Sequence, residues 1–217
     1  LRETIRAMRQ GIVVTSANGY VGIAKSIEVL QQGGSPLDAV EQGIRLVESN
    51  IDDHTVGRAG IPNLLGQIEL DASIMDGSTR QAGAVAALRG FEHPISIARK
   101  VMEHLPHVLL VDRGAIKFAK EMGFSSRNLM TKETRVRWQR GLDERGEGSE
   151  DRSDYFRLLR SFLSRKDQAK YLGTVNFIAM DQFGNVATGV STSGLGWKYP
   201  GRVGDSPIIG AGNFADN

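Results

Sequence analysis

Residues 173–192 read GTVNFIAMDQFGNVATGVST, and this stretch sets the frame for the rest of the chain. Thr174 to Asp181 has the composition of a strand. Phe183-Gly184-Asn185 supplies a turn, and Val186 to Thr192 returns as a second strand, so a β-hairpin is predicted. Upstream, Arg140 to Asp154 holds almost no apolar residue and is predicted to be a mobile linker. A short helix over Tyr155–Leu163 is expected next. A polar segment therefore runs into a strand that opens with Thr174. Taken alone, a threonine in that place is an ordinary β-former.

Working outward from the hairpin, the N-terminal half reads as alternating short strands and amphipathic helices. Gly11 to Thr15 is a short apolar strand, and Ile23, Ile27 and Leu30 recur at helical spacing until Gly33-Gly34 ends that helix. Ser35-Pro36 then starts another, with Ser35 as N-cap, Pro36 in the first helical position and Asp38 in the first turn. Its apolar stripe is Leu37, Val40, Ile44 and Val47. Residues 51–66 are rich in Gly, Asp and Asn and read as a loop. Ile68 to Met75 is predicted to alternate as a strand, to turn at Asp76-Gly77 and to pair with Gln81–Leu88. Helix over Ile95–Glu103, strand over Val108–Val111 and helix over Gly114–Met122 follow. This order suggests layered α+β packing rather than a regular βαβ series.

Composition narrows the function classes. With 27 Lys and Arg against 25 Asp and Glu, the net charge is +2, and no dense basic stripe favours nucleic acid. The run Arg135, Arg137, Arg140 reads as the solvated end of a helix. No apolar run reaches the roughly 18 residues needed to span a bilayer. Cysteine is absent, which removes disulfides and thiolate metal sites. His104 and His107 stand at ligand-like spacing, but Pro106 between them keeps them off a shared helix face. Gly210-Ala211-Gly212 lacks the spacing and the Lys-Ser/Thr of a phosphate loop. Neither stretch therefore reads as a metal pair or a nucleotide loop. Leu1 in place of a methionine implies a trimmed N-terminus.

Two further segments carry chemistry. Ser191-Thr192-Ser193-Gly194 closes the hairpin, and PGRVGDSPIIGAG occupies 200–212. There Arg202 and Asp205 stand three apart among glycines, which let backbone and ligand approach closely. An Arg fork suits a carboxylate and an Asp suits an ammonium, so the pair could clamp both ends of an amino acid. On spacing alone a weak exposed ion pair in a turn is the better reading.

These segments resemble the N-terminal-nucleophile family that holds glycosylasparaginase, plant-type asparaginase and isoaspartyl peptidase. Gly201–Gly212 with Asp216-Asn217 is similar to that family's signature. The likeness extends through Leu70–Gly77, Pro94–His104 and Gly33–Glu41, and covers nearly everything except the linker. His54–Gly57 with Gly60–Asn63 is nearer to the glycosylasparaginase branch. The sequence departs from that branch in two places. Leu172-Gly173 stands where His-Asp is usual, a Gly before the Thr being found in the asparaginase branch, and Ala17 stands near the place of a tryptophan.

The resemblance implies a four-layer αββα sandwich, of which this chain would hold residues 1–173 as the α subunit and 174–217 as the start of a truncated β subunit. It implies self-cleavage between Gly173 and Thr174. Thr174 would then be the catalytic nucleophile, with Thr192 beside it, Arg202 on the substrate α-carboxylate and Asp205 on its α-amino group. The implied reaction is hydrolysis of the side-chain amide of an asparagine derivative to aspartate, glycosylated asparagine first, β-aspartyl peptides or asparagine second. A relative that stays uncut and acts as a binding or scaffold protein is the alternative of a different class. The implied partners are a small asparagine-derived substrate and a second processed αβ unit, with no nucleic acid and no membrane, and no metal or organic cofactor is implied in catalysis. An exported, for instance periplasmic, bacterial protein is expected, the cytoplasm being left open. Oxyanion-hole groups are expected beyond Asn217.

Overall fold

The computed structural model describes residues 11–146 and 173–217. In chain order the elements are β1 (Ile12–Thr15), α1 (Tyr20–Gln31), α2 (Pro36–Ser49), β2 (Leu70–Asp76), β3 (Ala82–Leu88), α3 (Pro94–His104), β4 (Leu109–Val111), α4 (Asp112–Glu121), α5 (Lys132–Gly146), β5 (Val175–Met180) and β6 (Val186–Thr192). The strands form one sheet in the order β1-β5-β6-β2-β3-β4. Every neighbouring pair is antiparallel except β3 with β4, which α3 connects in parallel. The fold is thus mixed α+β.

Helix α2 begins as its sequence dictates. The Ser35 hydroxyl accepts from the Asp38 N–H at 3.1 Å, and the Asp38 carboxylate accepts from the Ser35 N–H at 3.1 Å. That reciprocal pair satisfies two donors the helix itself leaves open. The buried stripe of α2 lies on the sheet over Gly189 of β6, where an added Cβ would come within 2.6 Å of Val40 Cγ1. Glycine in mid-strand is therefore a packing requirement. Helix α1 crosses α2 equally closely, since a Cβ on Gly22 would stand 2.1 Å from the Gly43 carbonyl oxygen. Val40, Ile44, Phe177, Ile74, Val85, Ile95 and Ile97 form the centre of the core between helices and sheet.

The opposite face of the sheet is covered unevenly. Over β2 and β6 it carries the 193–217 loop. The Ser73 hydroxyl donates to the Ser206 carbonyl at 2.5 Å and accepts from Asn213 Nδ2 at 2.7 Å. Over β1 and β5, Ile12, Val14 and Ile178 lie 51%, 56% and 44% exposed.

Two expectations are corrected. Ile68–Met75 does not alternate between core and solvent: Leu70 to Met75 are all buried, because helices lie on one face of β2 and the loop on the other. The predicted linker also starts too early, since residues 140–146 continue α5. That helix is held by tertiary contacts its composition does not advertise. Trp138 Nε1 donates to the Asn63 carbonyl at 2.9 Å, and Trp197 Nε1 donates to the Trp138 carbonyl at 3.0 Å. The remainder of the predicted linker, 147–154, and the helix expected over Tyr155–Leu163 lie outside the described residues.

Candidate active site

The hairpin brings the two threonines together. Val175 of β5 pairs with Ser191 of β6, so the residues just beyond, Thr174 and Thr192, fall side by side at one end of the sheet. The Thr192 hydroxyl donates to the Gly173 carbonyl oxygen at 2.8 Å, with the Thr55 carbonyl a longer alternative at 3.4 Å. The Gly194 N–H donates to the same Thr192 oxygen at 2.9 Å. Thr174 itself is exposed.

Gly173 has a steric reason to be glycine. An added Cβ would stand 2.1 Å from Thr55 Oγ1, a distance that forces displacement. Thr55 is pinned in turn by Asp53, whose Oδ1 accepts from the Thr55 N–H at 2.8 Å and from its hydroxyl at 2.6 Å. Asp53 Oδ2 accepts from Asn18 Nδ2 at 3.0 Å. Ser16 closes this flank: its hydroxyl donates to Asn18 Oδ1 at 2.8 Å and accepts from the Asn176 N–H at 3.1 Å. The sequence assigned no role to Ser16, Asn18, Asp53 or Thr55. The 51–66 loop was legible as a loop, but its approach to Gly173 was not.

A cavity of about 280 Å³ opens on Gly173, Thr174, Thr192, Arg202, Gly204 and Asp205. All the residues singled out in the sequence therefore share one space. Arg202 and Asp205 do not pair with each other. Among the described residues, neither side chain has a hydrogen-bond or ion-pair partner, which disposes of the simple surface ion pair. A second opening of about 580 Å³ lies on the other flank of the 173–174 bond, bordered by Ser16, Ala17, Tyr20, Asp53 and Thr55.

Behind the cavity lie charges that the sequence did not reveal. Asp71 pairs across the strands with Thr192, and its Oδ1 accepts from the Ala87 N–H at 2.9 Å where β3 bulges. Lys198 is buried, and its Nζ donates to the carbonyls of Glu69 at 3.0 Å and Ser193 at 3.1 Å. Burial pushes Lys198 below the usual lysine value, opposed by the carboxylates of Asp71 and Glu69. Burial likewise pushes Asp71 up, opposed chiefly by Lys198. On the helix side, Glu48 is fully buried. It accepts from the Ser191 hydroxyl at 2.7 Å and from the Ile95 N–H at 3.1 Å, and faces His93 at 3.3 Å. Burial raises its carboxyl against those three partners. Among the described residues no group of three His, Asp or Glu suits a metal ion, and no helix is long and apolar enough to cross a membrane.

The cavity thus sets an exposed threonine beside a second hydroxyl and a peptide carbonyl, opposite an Arg and an Asp whose side chains make no hydrogen bond or ion pair among the described residues. The profile of the family described as asparaginase matches residues 5–217. The chain belongs to the asparaginase family. It is 43% identical over 207 residues to the N(4)-(beta-N-acetylglucosaminyl)-L-asparaginase of Elizabethkingia miricola, covering 95% of this chain and 56% of the relative. It is 40% identical over 202 residues to the protein of that name from Rattus norvegicus, covering 87% and 59%. Its identity to the isoaspartyl peptidase/L-asparaginase of Homo sapiens is 38% over 213 residues, covering 97% and 61%. The chain thus spans less than two thirds of the length of these asparaginase-family relatives.

Proposed function

We infer that this asparaginase-family chain cuts itself before Thr174 and then hydrolyses the side-chain amide of an asparagine derivative. The observation that carries the reading is the contact of the Thr192 hydroxyl with the Gly173 carbonyl, in a cavity shared by Thr174, Arg202 and Asp205. In self-cleavage the Thr174 hydroxyl adds to the Gly173 carbonyl carbon. The Gly173–Thr174 C–N bond breaks, leaving an ester on the Thr174 oxygen and a free α-amine. Water hydrolyses the ester. The cut divides the chain into an α subunit ending at Gly173 and a β subunit starting at Thr174.

An α-amine has a pKa of about 8, so near neutral pH part of it is free to take the proton of its own hydroxyl. The activated Thr174 oxygen attacks the substrate's side-chain amide and releases the amine portion. Arg202 receives the α-carboxylate as a two-pronged donor, and Asp205 the α-ammonium. Water then frees aspartate from the Thr174 ester.

Glycosylated asparagine is the first substrate class, as the name of the 43% identical bacterial relative suggests. A β-aspartyl dipeptide is the second, favoured by the small Ala17 on the flank of the second opening. We also propose that the exposed strip Ile12, Val14 and Ile178 receives the second sheet of a four-layer αββα sandwich, and that two processed units associate.

Intact mass and N-terminal sequencing of the full-length protein test this reading. Two polypeptides are expected, one beginning Thr174-Val175-Asn176, and Thr174→Ala is expected to remain one chain without amidase activity. A wild-type chain that stays whole for days overturns self-processing and leaves the non-enzymatic relative. Turnover of β-aspartyl dipeptides alone would exchange the first substrate class for the second.

A further inference from the structure

Lys198 lies too deep to touch a substrate, yet a continuous line of hydrogen bonds runs from it to the bond that self-cleavage would break. Its Nζ donates to the Ser193 carbonyl at 3.1 Å. The other end of that same peptide group is the Gly194 N–H, which donates to Thr192 Oγ1 at 2.9 Å. Thr192 Oγ1 donates in turn to the Gly173 carbonyl oxygen at 2.8 Å. We propose that Lys198 is a positioning residue for self-cleavage, acting through the Ser193–Gly194 peptide and the Thr192 hydroxyl to polarise the Gly173 carbonyl. The proposal rests on the self-cleavage reading above.

The direction of each dipole supports it. A cation at a peptide oxygen draws electron density toward that oxygen and makes the peptide N–H a stronger donor. A stronger donor at Thr192 Oγ1 occupies one of the oxygen's lone pairs and leaves its proton facing the 2.8 Å acceptor rather than the 3.4 Å one. The hydroxyl, itself polarised, then stabilises the negative charge that grows on the Gly173 oxygen when Thr174 adds. Because Lys198 is 2% exposed, little water screens the effect. The Glu69 carbonyl accepts a second hydrogen bond from the ammonium at 3.0 Å, and the Asp71 and Glu69 carboxylates nearby favour its charged form.

Gly194 is suited to this role. Its φ of +69° is a conformation that side chains rarely adopt. An added Cβ would stand 3.2 Å from both Lys198 Nζ and Arg202 Nη1. Lys198 and Arg202 thus flank one glycine. Arg202 lines the cavity, while Lys198 works from behind the peptide.

One peptide group can be observed selectively, because Ser–Gly occurs in these 217 residues only at 193–194. Full-length protein carrying Thr174→Ala, which keeps the 173–174 bond, is made with ¹³C at serine carbonyls and ¹⁵N at glycine amides. The coupled signal is assigned by its loss in Ser193→Ala. The Gly194 amide proton is expected well downfield of the other glycine amides, and to move upfield in Lys198→Met. An ordinary Gly194 amide with Lys198 intact overturns the proposal without any lysine variant having to fold.

In the chain with Thr174 intact, Lys198→Met is paired with Asp71→Asn so that the buried Asp71 carboxylate does not lose its chief counter-charge. Self-cleavage is expected to slow on the order of tenfold to a hundredfold. Cleavage at the wild-type rate would overturn the relay. A lysine with only a structural role would lower stability and leave the Gly194 amide where it was. Should wild-type protein not cleave, the function reading fails, and the amide shift still decides whether Lys198 polarises the peptide.

Discussion

The two sides of the cavity differ in what their polar groups already hold. On one side, Thr192, Thr55 and Asp53 are tied into hydrogen bonds of 2.6–2.9 Å, and Glu48 grips Ser191 immediately before Thr192. On the other, Arg202 and Asp205 reach the same space with no hydrogen-bond or ion-pair partner among the described residues. Groups that must stay fixed as charge develops are best pre-oriented by the protein. Groups that receive the ends of a ligand are best left unsatisfied until it arrives. The contrast predicts that substitutions on the first side cost stability, and that those on the second cost substrate use alone.

Glu48→Ala is the harshest test of the anchored side. It leaves the Ser191 hydroxyl and the Ile95 N–H without their acceptor, in a place closed to water. A loss of about 3–5 kcal/mol is expected in denaturant unfolding. A cost under about 1 kcal/mol would show that the anchoring is decorative and would remove the basis of the contrast.

Arg202→Ala probes the open side. The loss in kcat/KM on an asparagine derivative is expected at about 2–4 kcal/mol, roughly 30- to 1,000-fold. Folding stability should move by about 1 kcal/mol or less, because the side chain gives up no hydrogen bond among the described residues. If stability instead fell as far as in Glu48→Ala, Arg202 would belong with the anchors, and the ligand clamp would lose its support.

A cluster remote from the cavity shows whether anchoring follows the same physics elsewhere. Arg99 on α3 reaches Asp38 at 2.7 Å and Glu41 at 2.8 Å on α2, and Glu103 at 2.7 Å on its own helix. Burial alone would raise Asp38, but Ser35 and Arg99 outweigh it and hold the carboxyl below its usual value. Burial of Glu103 is likewise outweighed by Lys100 and Arg99. A carboxylate depressed in the folded state contributes stability above its unfolded pKa of about 4, and that contribution is lost as the pH falls through the folded value. Arg99→Ala should therefore cost about 1–3 kcal/mol at pH 7, with the two proteins converging as the pH drops below 4. Urea unfolding at several pH values reads this directly, and a pH-independent difference would refute the ionic account.

What the sequence disclosed divides along the same line. The hairpin around Phe183-Gly184-Asn185, the Ser35–Asp38 cap and the shared place of Thr174, Thr192, Arg202 and Asp205 were legible, because short-range patterns or a motif carry them. Helix α5 was read only as far as a solvated helix end before Arg140. Its charged face resembles a linker, and Trp138 docks on Asn63, 75 positions away. The supports of the site were missed for the same reason. Thr55 meets Gly173, Asp71 lies opposite Thr192, and Lys198 reaches back to Glu69. Each is a contact between residues more than 100 positions apart, where neither periodicity nor capping leaves a trace.

The smallest expected effect sets the scale for the others. Arg80 makes a two-pronged contact with Asp216, Nε to Oδ1 at 2.7 Å and Nη2 to Oδ2 at 3.2 Å, as good in outline as any pair near the cavity. Its side chains, however, are 69% and 42% exposed. Water and salt compete for both charges, so Arg80→Ala should cost about 1 kcal/mol or less, and the difference should shrink as ionic strength rises. Unfolding in low and high salt measures it. A cost near that of Glu48→Ala would mean that hydrogen-bond geometry, rather than exclusion of water, ranks these groups. The buried Glu48 and the open Arg202 would then have to be compared by their contacts alone.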